Sequence, residues 1–339
     1  MATIQPTLEN EYKKWSISRK QFAVTITGLS ERSIYEVSNI FERWYLSRAN
    51  FASGIESLAL KNHPVTQKMK SEFLEKRIVP SMMMADKLID KIIAIQSDPI
   101  PAGAPTIQNN IIRWGSFSQA IPHARMMMLQ RLAPMEQIVA MVLRYNSIMP
   151  GGQQWAIPAQ ACDVLVKKFG VTIEGFASPL NSQIMRYAPT LDVHFCSLFP
   201  DVDRPFGSAG NFFDYDFVGR SAVINPPYVI DIMDAVVTKC IASCERAEKL
   251  SVRTRMFIVV PSWTDADYYS RLVQTKYLDK KLVHDKFTHY YENTRTGQPI
   301  VATFAHTIFI LSVGDNAETT SLQQNYSELA RAFLVPRSR

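Results

Sequence analysis

No run of residues in this sequence is long and apolar enough to cross a bilayer, and its Met-Ala-Thr-Ile start lacks the basic region and apolar stretch of a secretory signal. Cysteine is scarce: Cys162, Cys196, Cys240 and Cys244 are the only four in 339 residues. That scarcity excludes a disulfide-stapled fold and agrees with a reducing, intracellular compartment. Cys240 and Cys244 share a helical face, where a reduced buried pair is expected. The six histidines (His63, His123, His194, His284, His289, His306) are scattered, and no two have zinc-ligand spacing beside a cysteine pair, so no structural metal is expected. A Gly-x-x-x-x-Gly-Lys-Ser/Thr loop and a Gly-x-Gly-x-x-Gly fingerprint are both missing, which leaves nucleotide hydrolysis and nicotinamide chemistry without support.

What is present describes an ordinary globular chain. Hydrophobic residues make up 47% and charged ones 20%, with mean hydropathy -0.07, and the length suits about two domains. The formal charge of +6 is unevenly spread: residues 1–150 carry 18 Lys/Arg against 12 Asp/Glu, whereas residues 151–339 carry 19 of each. A basic half beside a neutral half suits a polyanion-gripping domain joined to a catalytic one; the bland alternative is a solvated basic surface.

The first hundred residues read as helical. Ser33 and Glu36 have capping-box spacing ahead of Phe41, Trp44 and Tyr45, and residues 65–96 form a second helical region broken near Pro80. Its expected inner positions are Met69, Phe73, Leu88, Ile92 and Ile95. The runs Met82–Met84 and Met126–Met128 read as core filling, since no thiolate or histidine cluster accompanies them. SDPIPAGAPTIQNN (97–110) reads as a linker or a turn between subdomains, and IIRW with the residues after it is ambiguous. Pro134 opens a helix over 135–145, and the domain boundary is expected just upstream, between residues 132 and 133.

From Pro158 helices and strands alternate. A helix ends at Gly170, and strands are expected at 171–176, 191–199, 221–224 and 256–260, the last apolar enough to be buried on both faces. Residues 282–292 and 300–313 read as a terminal antiparallel hairpin. The pattern predicts an α/β doubly wound, Rossmann-like sheet with one reversed edge in 133–333, after a mainly helical, basic domain in 1–132. The last residues, 334–339, read as a flexible tail resembling a protease-cleavable linker.

The sharpest local signal is Asn225-Pro226-Pro227-Tyr228 at the carboxyl end of the 221–224 strand. Two prolines cannot donate to a sheet ladder, so they end the strand and leave rigid backbone where open α/β sheets place their ligands. The bland reading is a strand-ending turn. The tetrapeptide resembles the Asn/Asp-Pro-Pro-aromatic motif of S-adenosylmethionine-dependent amino-methyltransferases. An aryl amine is a poor nucleophile because its lone pair is delocalised into the ring, so such a site must localise and aim that pair. In this reading the Asn225 side-chain oxygen and the Pro226 carbonyl accept hydrogens from the amine while Tyr228 stacks on an unstacked base.

A wider set of blocks is similar to the cap-specific adenosine N6-methyltransferase family (phosphorylated CTD-interacting factor-like). They are the Gln153/Gln154 turn with the Pro158 helix, FGV (169–171), FASPLN (176–181), FPDVD (199–203), FGSAG (206–210), INPPY (224–228), MDA (233–235) and PSW (261–263), with a weaker likeness upstream in FERWYLSR (41–48) and IQNNIIRW. The resemblance implies methyl transfer from S-adenosylmethionine to N6 of the 2'-O-methyladenosine next to the cap of mRNA. It puts Asn225, Pro226, Pro227 and Tyr228 on the adenine, and Gln154, Ser178, Pro179, Asn181, Asp201, Asp203, Phe206, Gly207 and Ser208 on the cofactor. Asp201 and Asp203 follow the second strand, where an acidic residue commonly holds ribose hydroxyls, or else they form a solvated turn. Two departures stand out. No WW module is evident, so direct docking on the polymerase tail is not expected, although capping-machinery partners stay open. Tyr228 stands where the family motif usually has Phe; either ring can stack.

Trp263, past the 256–260 strand, is placed to stack on the cap or a neighbouring base, or equally to pack on the next helix. His289, Tyr290, Tyr291 and Arg295 form an aromatic and basic group suited to RNA, or a sheet face and its turn. Lys13, Lys14, Arg19, Lys20, Lys68, Lys70, Lys76, Arg77 and Arg113 are the basic residues of the amino-terminal half proposed to meet the cap and its phosphates. Two alternatives stay open: an adenine N6-methyltransferase acting on DNA or internal RNA, and a non-catalytic cap-binding or scaffold subunit.

Overall fold

The structure is a computed structural model that describes residues 7–30, 33, 36, 37, 40, 64–147, 155–314 and 320–336. The FERWYLSR segment, the Gln153/Gln154 turn and residues 337–339 lie outside the described residues. The chain divides into two compact units, 1–153 and 154–339.

The first unit is mainly helical. Helix α1 (Leu8–Ile26) is capped by Thr7, whose hydroxyl accepts the Asn10 amide at 3.3 Å. Helix α2 (Pro64–Glu75) and α3 (Met82–Ile93) are separated by the Pro80 region, as the sequence suggests, and Ser81 caps α3. Met69, Phe73 and Ile92 are buried, but the inward stripe of α3 runs through Ala85 and Ile89. Met82, Met83 and Met84 are exposed, which corrects the core-filling expectation: they occupy the first helical turn, ahead of that stripe. Of the second run only Met126 is buried.

The ambiguous IIRW region forms an antiparallel meander of β1 (Thr106–Gln108), β2 (Ile111–Trp114) and β3 (Phe117–Ala120). Its Trp114 and Phe117 pack edge-on to Tyr12 and Trp15 of α1, with ring centroids 4.9 and 5.0 Å apart. Helices α4 (His123–Leu132) and α5 (Met135–Asn146) follow. The boundary at 153/154 lies some twenty residues past the one read from sequence. The reason is α5: its residues 138–145 are all buried, and Arg144 makes a bidentate, buried ion pair with Glu11 of α1. Likewise 97–110 is packed within this unit, with Asp98 bound by Arg19 and Lys20.

The second unit is built around a six-stranded sheet. After β4 (Trp155–Ala156), helix α6 (Ala159–Phe169) starts behind Pro158 and ends at Gly170, whose φ of +63° is the left-handed cap glycine permits. The strands are β5 (Ile173–Ala177), β6 (His194–Ser197), β7 (Ser221–Ile224), β8 (Thr254–Pro261), β9 (Leu278–His284) and β12 (His306–Val313), in the order β6-β5-β7-β8-β12-β9. Helices α7 (Ile230–Lys249), α8 (Asp267–Gln274) and α9 (Thr320–Ala332) complete the layers. Strands β6, β5, β7 and β8 run parallel, and a single parallel bridge between Phe195 and Ser208 extends the sheet beyond β6. All eight residues of β8 and of β12 are buried, as in central strands.

This is a doubly wound, Rossmann-like methyltransferase sheet with two differences from the expected hairpin. The reversed strand is not an edge: β12 inserts antiparallel between β8 and β9. The residues between β9 and β12 also fold into their own hairpin, β10 (Tyr290–Asn293) and β11 (Gln298–Val301), which pairs with β4 in a separate three-stranded sheet.

Candidate active site

Chain order and strand order together locate the crevice. β5 leads to β6 on one side, and the next strand, β7, lies on the other side of β5. Open α/β sheets bind ligands at the carboxyl ends of strands at such a switch point. Here those ends carry Ser178–Asn181 after β5 and Asn225–Tyr228 after β7. A cavity of about 410 Å³ lined by Lys168, Arg220, Arg253 and Arg255 opens at the amino-terminal ends of these strands instead, away from the motif.

In the motif, Asn225, Pro227 and Tyr228 are half-buried and Pro226 is buried. The Val229 amide donates to the Pro227 carbonyl at 2.8 Å, so that turn does not use the carbonyl of Pro226. The Tyr228 ring stands edge-on to Phe304 at 5.5 Å. Its hydroxyl reaches inward, 3.2 Å from Asn225 Oδ1 and 2.6 Å from the Tyr291 hydroxyl. Tyr291 lies 2.7 Å from His306 Nδ1, His306 Nε2 lies 2.9 Å from His284 Nδ1, and His284 Nε2 lies 2.8 Å from the Ala330 carbonyl of α9. Burial pushes both tyrosine hydroxyls up and both histidines down from their ordinary pKa values.

At the end of β5 the side chains are turned to shaping the loop. Asn181 Oδ1 accepts the Ser178 amide at 2.6 Å, Ser178 Oγ accepts the Leu180 amide at 3.1 Å, and Asn181 Nδ2 donates to the Trp155 carbonyl at 3.4 Å. Ser178 and Asn181 are 3% and 9% exposed and Pro179 is buried, so the polar side chains here serve the loop's own shape. Beneath it, buried Glu174 of β5 accepts from Ser182 Oγ at 2.8 Å, the Gln183 amide at 2.9 Å and the Ile184 amide at 3.3 Å. Glu292 of β10 accepts from the Ala159 amide at 2.7 Å and from Gln183 Nε2 at 2.6 Å, tying the small hairpin to α6 and the loop.

After β6, Asp201 is exposed on the helical turn Pro200–Asp203, whereas Asp203 is fully buried. Of the two carboxylates, Asp201 is therefore the one at the surface. Phe206 is also fully buried and belongs to the core. Gly207 has φ of +97°, and a Cβ there would lie 2.7 Å from Met185 Cε, so packing against Met185 accounts for the glycine. Ser208 Oγ pairs with Ser197 Oγ at 2.7 Å, beside the end of β6.

The proposed RNA group divides. Trp263 is 38% exposed at the end of β8. His289 and Tyr290 are buried, Tyr290 as the first residue of β10 and His289 just before it with its ring 3.9 Å from His306, which agrees with the sheet-face alternative rather than with an RNA-facing pair. Arg295 is half-buried, and burial lowers its pKa. In the helical unit Lys76 and Arg77 share an exposed turn after α2, and Lys13, Lys68 and Arg113 are exposed. Lys14, Arg19, Lys20 and Lys70 instead make ion pairs with Glu11, Asp98, Asp98 and Asp86. All four cysteines are free and buried, and burial pushes Cys162 and Cys196 up to about 12, away from thiolate chemistry. Among the described residues no group of three or more His, Cys, Asp or Glu is arranged to hold a metal ion.

Sheet order, reversed inner strand and an Asn-Pro-Pro-aromatic turn at the switch point together define the class: a Rossmann-like methyltransferase fold. The chain belongs to the family described as phosphorylated CTD interacting factor 1 WW domain, whose model matches residues 121–294, more than half of the chain. It is also 26% identical over 257 residues to human and mouse proteins named mRNA (2'-O-methyladenosine-N(6)-)-methyltransferase. That match covers 69% of this chain and 34% of each relative, so the chain spans about a third of the length of the curated relatives it matches.

Proposed function

We propose that this chain transfers a methyl group from S-adenosylmethionine to an exocyclic adenine amine, namely N6 of the 2'-O-methyladenosine beside the cap of mRNA. The observation that carries the reading is the position of Asn225–Tyr228, half-open at the carboxyl end of β7 beside the topological switch point. The residues fit the cofactor. Exposed Asp201 after β6 suits ribose hydroxyls, the Ser178–Asn181 loop follows β5 at the switch point, and the motif lies on the next strand over. When bound, the cofactor supplies an electrophilic methyl group on a sulfonium. The protein's part is orientation: Asn225 Oδ1 and the Pro226 carbonyl accept the two amine hydrogens, drawing the nitrogen lone pair out of conjugation. The Tyr228 ring stacks on the base, and two prolines keep the acceptors from moving. Trp263, exposed past β8, stacks on the cap, and the exposed cations Lys13, Lys76, Arg77 and Arg113 suit the helical unit to RNA phosphates.

The names of the relatives support the substrate, and the test is direct. Labelled cofactor is incubated with capped RNAs that begin with A or with G. Label should enter only the A-start RNA and be lost in Asn225→Ala; label in the G-start RNA would overturn the reading. An uncapped competitor that inhibits as well as capped RNA would point instead to adenine in DNA or internal RNA.

A further inference from the structure

Tyr228 of the motif and four groups behind it, Tyr291, His306, His284 and the Ala330 carbonyl, form one line of hydrogen bonds with heavy-atom separations of 2.6, 2.7, 2.9 and 2.8 Å. The direction of every proton in it follows from its far end. A carbonyl can only accept, so His284 must carry its proton on Nε2. His284 and His306 are 4% and 0% exposed, and no carboxylate stands in the line to compensate a charge, so both rings are neutral with one N–H each. His284 Nδ1 therefore accepts from His306 Nε2, and His306 Nδ1 accepts from the Tyr291 hydroxyl. Tyr291 has then spent its one proton, and the 2.6 Å contact requires that Tyr228 donate to it.

The consequence falls on Asn225. A tyrosine hydroxyl has a single proton, and this one is committed to Tyr291. The geometry would also let this hydroxyl donate to Asn225 Oδ1 at 3.2 Å, but the shorter 2.6 Å contact takes its one proton, so the Tyr228 oxygen turns a lone pair toward that amide. If the Asn225 amide is turned over, its Nδ2 donates to that lone pair and Oδ1 swings to the crevice, so in either setting Oδ1 is not consumed by Tyr228.

We propose that His306, seated on His284 and the Ala330 carbonyl, is a positioning residue that turns the Tyr228 proton away from Asn225, so that the site accepts a base edge bearing an amine and rejects one bearing a carbonyl. The inference rests on the proposed function for its substrate and deepens it, since it assigns the preference for a donor-bearing edge to a buried line of groups outside the tetrapeptide.

The decisive variant is Tyr291→Phe in the full chain. It removes the acceptor for Tyr228, whose proton then turns to Asn225 Oδ1 and competes with the amine. The rate constant kcat with A-start capped RNA should fall roughly tenfold, about the worth of one hydrogen bond of 1.4 kcal/mol. Adding Tyr228→Phe removes the misdirected proton, so the double variant should recover to the level of Tyr228→Phe alone, above Tyr291→Phe. Simple damage to packing predicts the opposite, a double variant no better than Tyr291→Phe, and that result would sink the proposal.

A readout independent of activity is the tautomer of the two histidines. Long-range proton–nitrogen correlation spectra of the nitrogen-15-labelled free protein should show His284 and His306 both neutral and protonated on Nε2 at pH 7. An Nδ1–H tautomer or a charged ring at His306 overturns the proposed direction even if methyl transfer proceeds. If no substrate is methylated, the proposed function fails while the spectra still decide the line. A capped RNA beginning with inosine, which has a carbonyl where adenosine has its amine, should compete at least tenfold more weakly than its A-start counterpart; equal competition would refute the donor preference.

Discussion

Glu174→Ala should loosen the loop that closes the β5 side of the crevice. The Glu174 carboxylate is 6% exposed and takes three donors at 2.8, 2.9 and 3.3 Å, two of them the main-chain amides of Gln183 and Ile184. Hydrogen bonds to a charged group contribute about 1.5–3 kcal/mol, and a buried donor left unsatisfied costs about 1–3 kcal/mol. These terms overlap, and water entering the space left by the side chain offsets part of the second. A net loss of about 3 kcal/mol follows, which for a unit of this size lowers Tm by about 6–12 °C. Glu174→Gln keeps a carbonyl oxygen for one or two of the donors and should lose roughly a third as much. Scanning calorimetry measures the stability, and titration with S-adenosylmethionine measures the site. Both variants should bind the cofactor more weakly in the order of their instability. A Tm within about 2 °C of the parent would refute the view that Glu174 holds the loop. A large loss of Tm with undiminished cofactor affinity would show that the loop carries no part of the site.

Acid should destabilise the sheet unit through its buried histidines. His284, His289 and His306 have folded-state pKa values lowered from 6.5 by burial, so their stability contribution is complete above pH 6.5 and is lost as pH falls below it. His306 faces His284, His289 and Tyr291, with Phe304 and Phe333 beside the cluster and Asp285 acting on His284 and His289. Melting followed from pH 7 to pH 5 should therefore fall less steeply in His306→Gln than in the parent. In the helical unit, Arg144→Ala takes the bidentate partner from the buried Glu11 carboxylate and leaves it Lys14 at 3.3 Å; it should cost about 3 kcal/mol in denaturant unfolding, more than the paired exchange Glu11→Leu with Arg144→Met. Gly207→Ala forces a side chain into φ of +97° and against Met185, and should cost about 1–3 kcal/mol by the same measurement. Trp263→Ala, 38% exposed, should raise KM for capped RNA while leaving Tm and cofactor affinity near the parent values; an unchanged KM removes Trp263 from the cap site.

Features set by neighbouring residues were legible in the sequence. Pro158 and Gly170 bracket helix α6, Ser221–Ile224 is a strand with the expected bounds, and the Pro226-Pro227 pair ends it where the crevice begins. What escaped depends on partners distant in sequence. Strand β12 pairs with β8 across some fifty residues, and nothing in HTIFILSV distinguishes an inner reversed strand from an edge one. Glu174 reads as one acidic residue in a short strand; only the folded loop shows that it collects three donors. His284 and His306 looked scattered, yet they sit directly opposite each other in the β9–β12 register. Had that register been available, the pair would have been visible as a cross-strand contact.

The same register bears on why the motif can end in tyrosine here. A hydroxyl carried into a buried position costs free energy unless it is satisfied, and the partner must itself be satisfied in turn. Tyr228 passes that requirement to Tyr291, Tyr291 to His306, and His306 to His284, until the main-chain carbonyl of Ala330 ends it without needing a further donor or acceptor. The residues come from the turn after β7 and from β10, β12, β9 and α9, so helix α9 takes part in holding a side chain at the crevice. A phenylalanine at position 228 would remove the first obligation and leave Tyr291 with a spare lone pair. The tyrosine and the line behind it are in this sense one feature: substitutions along the line should be non-additive with Tyr228→Phe, whereas substitutions in the Glu174 loop should add to it.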